Sequence, residues 1–353
     1  NSLTQQARSI PIEKQEALTK KEDFPVDKSL IEPMKEAADI VREKQKISSL
    51  GVVANFLEAW QGPDKSFTRI IQKGFTRFSK PYLNLSYRCL DPSLLISQIK
   101  AHSLIFMSGT LNPASMYLDL FGLDKTSSVL SEYNSPFPHS NRLNLIVPTT
   151  TTKYTKRNSE MFKRISAICS EVIKSTPGNV AMFFPSYELR DQINYYLQNE
   201  INKPIIEEKP GLTKEQKQEL IDSFKSHNKQ GAVLMAASSG SFGEGIDLPG
   251  NLLQTVVIVG LPLAKPDLET QELINYYEER FSRGWDYAYI YPAIKKSQQN
   301  AGRCIRSETD KGCIVFLDER YARENYKKCF PGDSNFEITK IPAKSIKNFF
   351  DNN

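Results

Sequence analysis

The 353-residue sequence contains few of the residues that bind metals or build disulfide frameworks. It has five cysteines, an odd number, and no two of them are spaced as C-x-x-C. This usage favours reduced thiols over a disulfide scaffold. The three histidines, at positions 102, 139 and 227, are too far apart to form a helical i, i+4 metal pair. The sequence therefore predicts no metal site built by this chain alone.

Long apolar runs are also absent. The longest nearly apolar segment, residues 255–264, is far shorter than the ~20 residues of a membrane-spanning helix. No charged, apolar and small-residue leader is present, so we expect neither a membrane protein nor a secreted one. The sequence opens at Asn1 rather than at a methionine, and we expect it to be part of a longer protein.

Charge of either sign shows no strong excess. Lys plus Arg number 46 and Asp plus Glu number 41, giving a net charge of +5, which permits a polyanionic partner without requiring one. Hydrophobic residues make up 39% and charged residues 25%, so a packed core is possible and wholesale disorder is excluded. The length suits two or three domains.

The first part of the chain has a helical pattern. Apolar residues recur at helical spacing over residues 26–46, and a second helical stretch at 52–60 ends at Gly62 and Pro63. We expect a small helical region without strands. Residues 65–88 then carry six basic side chains and no acid, among β-friendly residues from position 74 onward, and we favour a strand with solvated lysines over a nucleic-acid stripe.

Short apolar runs then alternate with amphipathic stretches. The runs are residues 103–107, 143–147, 180–184, 232–235, 255–259 and 313–317. The helical stretches are residues 158–175, 186–200, 213–227, 268–281 and 292–303. This alternation predicts an α/β fold with a parallel sheet covered by helices on both faces. Such sheets bind ligands beyond the carboxyl ends of their strands, so the loops after the runs are the candidate sites.

Residues 231–250 form the sharpest candidate loop. A buried strand runs into Ser238, and glycines at 243 and 245 let the backbone approach a phosphate or a nucleotide closely. The alternative is a glycine-rich turn that only reverses the chain. A serine-hydrolase elbow is excluded, because its pattern requires glycine at position 239, which is Ser239.

Residues 299–306 form the second candidate. Arg303 and Arg306 are three residues apart, so both guanidinium groups can point to one side of a helix, where such groups bind phosphate oxygens bidentately. The alternative is a solvated or salt-bridged arginine pair.

Five ordered segments together resemble a known family. They are residues 104–111, 179–187, 243–248, 299–306 and 316–320. In this order and spacing they resemble motifs III, IV, V and VI of superfamily 2 helicases, and most closely those of the XPD family of iron–sulfur DNA helicases, of archaeal type. The resemblance covers about residues 65–330.

The resemblance implies a RecA-like parallel sheet flanked by helices. Members of the family are 5′→3′ motors of nucleotide excision repair in which two RecA-like domains bind ATP between them. By this likeness residues 1–65 correspond to a remnant of a helical arch domain, residues 66–115 to the end of helicase domain 1, and residues 116–353 to helicase domain 2. A cytoplasmic location is implied, or a nuclear one in a eukaryote.

The resemblance also assigns residue roles. The γ-phosphate residues would be Gln299, Arg303 and Arg306. The nucleotide-binding residues would be Glu244, Gly245, Asp247 and Gly302. The residues coupling nucleotide state to DNA grip would be Ser108, Gly109 and Thr110. The DNA-binding residues would be Ser186, Tyr187, Ser238, Trp285 and Arg320. For Trp285, one of two tryptophans, the alternative is a core aromatic.

Half of the family's ATP site is absent from this sequence. A P-loop requires a Gly-Lys dipeptide, and neither that dipeptide nor an Asp-Glu-Ala-His box occurs. The cysteines that ligate the family's 4Fe–4S cluster are also absent. ATP and Mg²⁺ would therefore bind the full-length family member, and we expect this chain alone to hydrolyse ATP no faster than buffer.

The implied partners are single-stranded DNA, a missing amino-terminal helicase domain and proteins of a repair complex. Two alternatives stay open. One is a non-enzymatic nucleic-acid-binding or regulatory module with a helicase-like fold, although retained γ-phosphate arginines favour a motor. The other is part of an RNA helicase. A protein that binds the nucleic-acid backbone does not read the bases, and its choice between RNA and DNA depends on 2′-hydroxyl contacts.

Overall fold

The computed structural model describes residues 15–75, 79–245 and 252–351. The chain divides into two compact units. One comprises residues 1–102, 119–123 and 265–288, and the other comprises residues 103–118, 124–264 and 289–353. The division into an arch remnant and two helicase domains at residues 65 and 115 stays a prediction.

The described segments contain ten strands and twelve α-helices. The strands are β1 (Glu16–Leu18), β2 (Phe67–Phe75), β3 (Pro81–Cys89), β4 (Arg142–Ile146), β5 (Val180–Phe184), β6 (Ile205–Glu207), β7 (Val233–Ala237), β8 (Thr255–Val259), β9 (Gly312–Leu317) and β10 (Phe336–Ile338). The helices are α1 (Ile31–Arg42), α2 (Ser49–Trp60), α3 (Ser93–Ile96), α4 (Ala114–Phe121), α5 (Ser159–Ser175), α6 (Tyr187–Leu197), α7 (Lys214–Ser226), α8 (Ser241–Gly245), α9 (Leu268–Phe281), α10 (Tyr291–Ala301), α11 (Glu324–Lys327) and α12 (Pro342–Asp351).

The first unit is built on a small antiparallel sheet with the order β1-β2-β3. Phe24, Trp60 and Ile71 form its buried apolar cluster, and the helices α1 and α2 pack against each other. The strand prediction for the basic segment 65–88 is confirmed by β2 and β3. The expectation of no strand before residue 65 is wrong at β1, because three residues are too few to show an alternating pattern and gain their hydrogen bonds from β2.

Asp91 anchors helix α9 within this unit. Its buried carboxylate accepts hydrogen bonds from the Tyr276 hydroxyl at 2.9 Å, from the Ser93 hydroxyl at 2.5 Å and from the Arg280 guanidinium. Burial by itself would raise the pKa of Asp91, but these hydrogen bonds together lower it. A charged Asp91 therefore fixes α9 against the end of β3.

The second unit contains a seven-stranded sheet with the order β10-β4-β9-β8-β5-β7-β6. Every pairing in it is parallel. The four strands β5, β7, β8 and β9 are buried along their whole length, as expected for a sheet with helices on both faces. The predicted parallel α/β fold is confirmed.

The helices around this sheet begin where the sequence predicts. The side chains of Asn158, Ser186 and Thr213 accept main-chain hydrogen bonds at the first turns of α5, α6 and α7. One large apolar cluster lies beneath them, and it includes Ile165, Met182 and Val315. The carboxyl ends of the central strands are thereby held at one edge of the sheet.

In the second unit the strands differ from the sequence prediction at one wrongly predicted run and at two strands that were not predicted. The apolar run 103–107 is not a strand, and Ile105 and Met107 are exposed, because no other described strand pairs with this run. The sequence also failed to predict β6 and β10, the two edge strands of the sheet. Each has three residues and obtains its hydrogen bonds from one longer neighbour.

Lys203 gives this unit a pH dependence. Its ammonium group donates to the carbonyl oxygens of Thr176 at 2.6 Å and Gly178 at 2.7 Å, and burial lowers its pKa from 10.5 to about 8. Between pH 8 and 10.5 the unfolded chain keeps a proton that the folded chain has released. The contribution of Lys203 to the free energy of unfolding therefore rises with pH across this window.

Between pH 8 and pH 10.5 we expect the free energy of unfolding of wild type to rise by about 1 kcal/mol relative to that of Lys203→Met. This figure is smaller than the pKa shift alone would give, because the Lys203 side chain is partly exposed to solvent. Urea unfolding at several pH values measures it. The buried cysteines titrate in both proteins, so their contribution cancels in the difference. A difference that is flat with pH would contradict the prediction.

Candidate nucleotide and nucleic-acid site

The glycine-rich segment begins at the carboxyl end of β7. The backbone amide of Ser238 donates to the Phe184 carbonyl at 2.7 Å, and helix α8 begins three residues later at Ser241. Glu244 and Gly245 lie in α8. Asp247, the third predicted nucleotide residue of this segment, lies outside the described residues.

Glu208, just after β6, holds the start of this segment. Its fully buried carboxylate accepts hydrogen bonds from the Ala237 amide at 3.0 Å, the Ser241 hydroxyl at 2.9 Å and the Phe242 amide at 3.1 Å. Gly240 is required beside it, because a Cβ there would lie 2.2 Å from a carboxylate oxygen of Glu208. Sequence analysis missed Glu208, because an acid in a polar loop gives no sign that it will be buried.

The predicted γ-phosphate residues lie at the end of α10. Gln299, Gly302, Arg303 and Arg306 line a cavity of about 320 Å³. Gln299, Gly302 and Arg306 are exposed and Arg303 is half-buried, whereas the intervening Asn300, Ala301, Cys304 and Ile305 face the interior. The structure brings both arginines to one cavity, but both lie beyond the end of α10 at Ala301, so the helical turn that their spacing suggests is not what places them there. Their role toward a nucleotide stays a prediction.

Hydrogen bonds join this segment to the glycine-rich one. The Arg303 guanidinium donates to the Gly243 carbonyl at 3.0 Å, and the Asn300 amide donates to the Ser238 carbonyl at 3.4 Å. The two candidate segments are therefore joined into one polar site, although Ser238 follows the carboxyl end of β7 and Cys304 contacts Gln254 and Cys313 at the amino ends of β8 and β9.

Asp310 fixes the backbone that carries Arg306. Its buried carboxylate accepts from the amides of Arg306 at 2.7 Å and Ser307 at 2.9 Å, and from the Ser307 hydroxyl at 2.7 Å. The turn after α10 is thereby closed on itself. The backbone position of Arg306 is therefore fixed, whereas its side chain is exposed.

The residues predicted to contact DNA have different environments. Trp285 lies in the first unit and is 55% exposed, so the core alternative for it does not hold. Ser186 caps α6 by accepting from the Leu189 amide at 3.2 Å. Tyr187 is half-buried beneath the Arg190 guanidinium, and burial together with the charge of Glu208 raises its pKa.

Ser238 and Arg320 are buried. The Arg320 guanidinium donates to both carboxylate oxygens of Asp318 at 2.8 Å and to the Thr152 hydroxyl at 3.0 Å. A direct DNA contact by Arg320 would require these contacts to open, and one by Ser238 would require its buried hydroxyl to become accessible. The structure therefore favours a structural role for both residues, which the motif pattern alone could not distinguish from a surface role.

The predicted coupling residues Ser108, Gly109 and Thr110 lie at a turn. The Thr110 amide donates to the Ser108 hydroxyl at 3.2 Å, and Ser108 and Gly109 are exposed. Over the described residues no group of three or more His, Cys, Asp or Glu side chains is arranged to hold a metal ion. None of the helices in the described ranges is long and apolar enough to cross a membrane.

Comparison with known proteins agrees with this geometry. Residues 169–335 match the family of the helicase C-terminal domain. A probable ATP-dependent helicase of Methanocaldococcus jannaschii is 32% identical over 239 residues, which are 62% of this chain and 34% of that protein. The ATP-dependent DNA helicase XPD of Sulfolobus acidocaldarius is 28% identical over 233 residues, which are 64% of this chain and 40% of that protein.

Two further similarities extend the comparison. The 3′-5′ exonuclease DinG of Staphylococcus aureus is 29% identical over 245 residues, covering 65% of this chain and 25% of that protein. A solved XPD helicase structure superposes with a TM-score of 0.62 at 23% identity, covering 96% of this chain and 60% of that one. The chain thus spans between a quarter and two-fifths of the length of these three relatives.

The parallel sheet with helices around it is a RecA-like fold, and residues 169–335 of it match the helicase C-terminal domain. The resemblance to the XPD family of superfamily 2 helicases, drawn from the five motif segments, is confirmed.

Proposed function

We propose that this chain is the carboxy-terminal part of an ATP-dependent 5′→3′ DNA helicase of the nucleotide excision repair type. It would bind single-stranded DNA and supply arginines to an ATP site that a first motor domain completes. The observation that carries this proposal is the joint placement of Gln299, Gly302, Arg303 and Arg306 around one cavity beside the glycine-rich segment. The names of two relatives, both ATP-dependent helicases, support it.

The side chains that line the cavity are suited to binding one side of a triphosphate. Guanidinium forks pair with phosphate oxygens bidentately, and exposed Arg306 and half-buried Arg303 present two such groups. ATP bound there would supply the free energy for movement, and this chain would contribute charge neutralisation at the γ-phosphate. The P-loop and the Mg²⁺ ligands would come from the missing amino-terminal helicase domain.

The residues present do not fit an iron–sulfur cluster. Cys169, Cys304, Cys313 and Cys329 are buried, and burial raises the pKa of Cys304 to about 12, whereas a cluster requires thiolate ligands. Cys89, the exposed cysteine, lies in the other unit. The family's cluster therefore has no counterpart among these side chains.

A non-enzymatic binding module with a helicase-like fold is the second candidate. The fixed backbone at Arg306 favours the motor, because a scaffold has no use for an exposed arginine that is held at a cavity beside a second arginine. A source gene that encodes a P-loop upstream of Asn1 would support the motor, and a gene without one would support the module.

Single-stranded DNA binding tests the proposal directly. We expect a labelled oligonucleotide to bind this chain with an affinity that falls steeply with salt, and Trp285→Ala to weaken binding about tenfold, because stacking on an exposed aromatic contributes ~1–3 kcal/mol per base. Fluorescence anisotropy at two salt concentrations measures both effects.

Trp285→Phe is the control, since it keeps an aromatic face, and it should bind nearly as well as wild type. Matched DNA and RNA strands separate a DNA helicase from an RNA helicase. Absence of binding even at low salt would count against a DNA-binding role and would favour the scaffold alternative.

A further inference from the structure

An exposed basic turn follows strand β4 at the carboxyl edge of the second unit's sheet. Residues 149–152 lead from the strand into a short 3₁₀ turn at Tyr154–Lys156. Lys153, Tyr154 and Lys156 are all exposed, and the Tyr154 side chain is 83% accessible. An aromatic ring this exposed lacks the burial that ordinarily stabilises it.

The turn is held rigidly from below. The Thr152 amide donates to the buried carboxylate of Asp318 at 2.8 Å, and the same carboxylate binds Arg320. Arg157 donates from Nε to the Thr152 carbonyl at 2.9 Å, and its guanidinium lies 5.7 Å from the centre of the Tyr154 ring. The exposed ring is thus presented by an ordered backbone.

The charge around the ring is positive. Lys153, Lys156 and Arg157 occur within five residues without an acid among them. The Lys156 ammonium lies 3.3 Å from a carboxylate oxygen of Glu319, which also pairs with Arg323 at 3.4 Å. One carboxylate is therefore shared between two cations, and the surface keeps a positive excess.

An accessible aromatic face surrounded by cations matches the two recognition elements of single-stranded nucleic acid. Bases stack on aromatic rings, and backbone phosphates are neutralised by lysine and arginine. At the same edge of the sheet, Ser238 and Arg320 are buried and cannot offer these groups. The turn lies directly over the Asp318–Arg320 pair and supplies accessible groups instead.

We propose that residues 153–157 form a contact for a single strand of nucleic acid, in which Tyr154 stacks on a base and Lys153, Lys156 and Arg157 bind backbone phosphates. This inference rests on the proposed nucleic-acid-binding function and names a surface for it. It does not depend on Trp285, which lies in the other unit.

The test compares two equally exposed tyrosines of the same unit. Tyr133 is 85% exposed and follows Glu132 in a segment without basic residues nearby in sequence, so Tyr133→Ala is a matched control for Tyr154→Ala. Each variant is titrated into labelled DNA and RNA single strands of the same sequence, and fluorescence anisotropy is read at two salt concentrations.

We expect Tyr154→Ala to weaken binding to at least one strand about tenfold, and Tyr133→Ala and Tyr154→Phe to bind like wild type. Lys153→Ala should reduce the slope of log affinity against log salt by about one, since it removes one phosphate contact. Equal thermal unfolding of all variants confirms that the fold is unchanged.

The outcomes separate the two proposals. If wild type binds and Tyr154→Ala binds equally well, the contact at residues 153–157 is wrong while the proposed function stands. If wild type binds neither DNA nor RNA, the proposed function fails and this contact fails with it. A tenfold loss of affinity in Tyr154→Ala, without a loss in Tyr133→Ala or Tyr154→Phe, supports both this contact and the proposed nucleic-acid binding.

Discussion

Replacing Asp318 by alanine is expected to lower the free energy of unfolding of the second unit, which contains the seven-stranded sheet, by about 3–5 kcal/mol. Asp318 is fully buried and binds the Arg320 guanidinium through both carboxylate oxygens. Burial by itself would lower the pKa of Arg320, but the hydrogen bonds and the charge of Asp318 raise it. Removing the carboxylate leaves a buried cation without compensation, and the Thr152 amide loses its acceptor.

Urea unfolding of the variant against wild type measures this loss. Glu324→Ala is the matched control, because Glu324 pairs with Lys327 at 3.0 Å on the surface of the same unit and should cost less than about 1 kcal/mol. The double variant Asp318→Ala/Arg320→Met should recover part of the loss, since it removes the unpaired charge as well. A loss no larger than that of Glu324→Ala would show that the buried pair contributes little.

Replacing Arg306 by alanine in the complete motor is expected to reduce the rate of ATP hydrolysis about a thousandfold or more. This expectation follows from the proposed function, because an arginine directed at the γ-phosphate contributes ~10³–10⁵ in rate. Arg306 is the sharper probe of the two arginines. Arg303 also holds the Gly243 carbonyl, so its loss would disturb the glycine-rich segment as well.

Phosphate release in the presence of single-stranded DNA measures the effect, in a protein that includes the P-loop domain. Arg323→Ala is the control, since Arg323 is an exposed arginine paired with Glu319 away from the cavity, and it should keep the wild-type rate. This chain without that domain should hydrolyse ATP no faster than buffer. Turnover by this chain that disappears in Arg303→Ala would contradict the missing half-site, and an unchanged rate in Arg306→Ala would contradict the arginine role.

The secondary structure of the larger unit could be predicted well because its signals are local. Continuous apolar runs at β5, β8 and β9 indicate strands that are buried on both faces, and helical spacing with capping residues predicts α5 and α7. The prediction failed where hydrogen bonding to a neighbouring strand decides whether a segment becomes a strand. The run 103–107 has strand composition but no pairing neighbour among the described strands, and β10 has only three residues but gains its hydrogen bonds from β4.

The candidate site shows the same division. The spacing of Arg303 and Arg306 predicts that both face one side of a helix, whereas the structure places both at one cavity in the turn beyond the end of α10. Glu208 was not predicted, because its importance lies in amides and a hydroxyl that are about thirty residues away in sequence. Arg320 was predicted to bind DNA, but the structure buries it against its partner Asp318 and the overlying Thr152.

By itself the sequence determined the parallel α/β fold, the order of its motifs and the helix that leads to the two arginines, because periodicity and spacing act over a few residues. Only the tertiary structure decided which polar residues are buried as supports and which are presented to solvent. Burial of Glu208 and Asp318 depends on packing between strands and loops far apart in the chain. Exposure of Tyr154 follows from that same packing, which holds Thr152 below it and leaves the ring accessible.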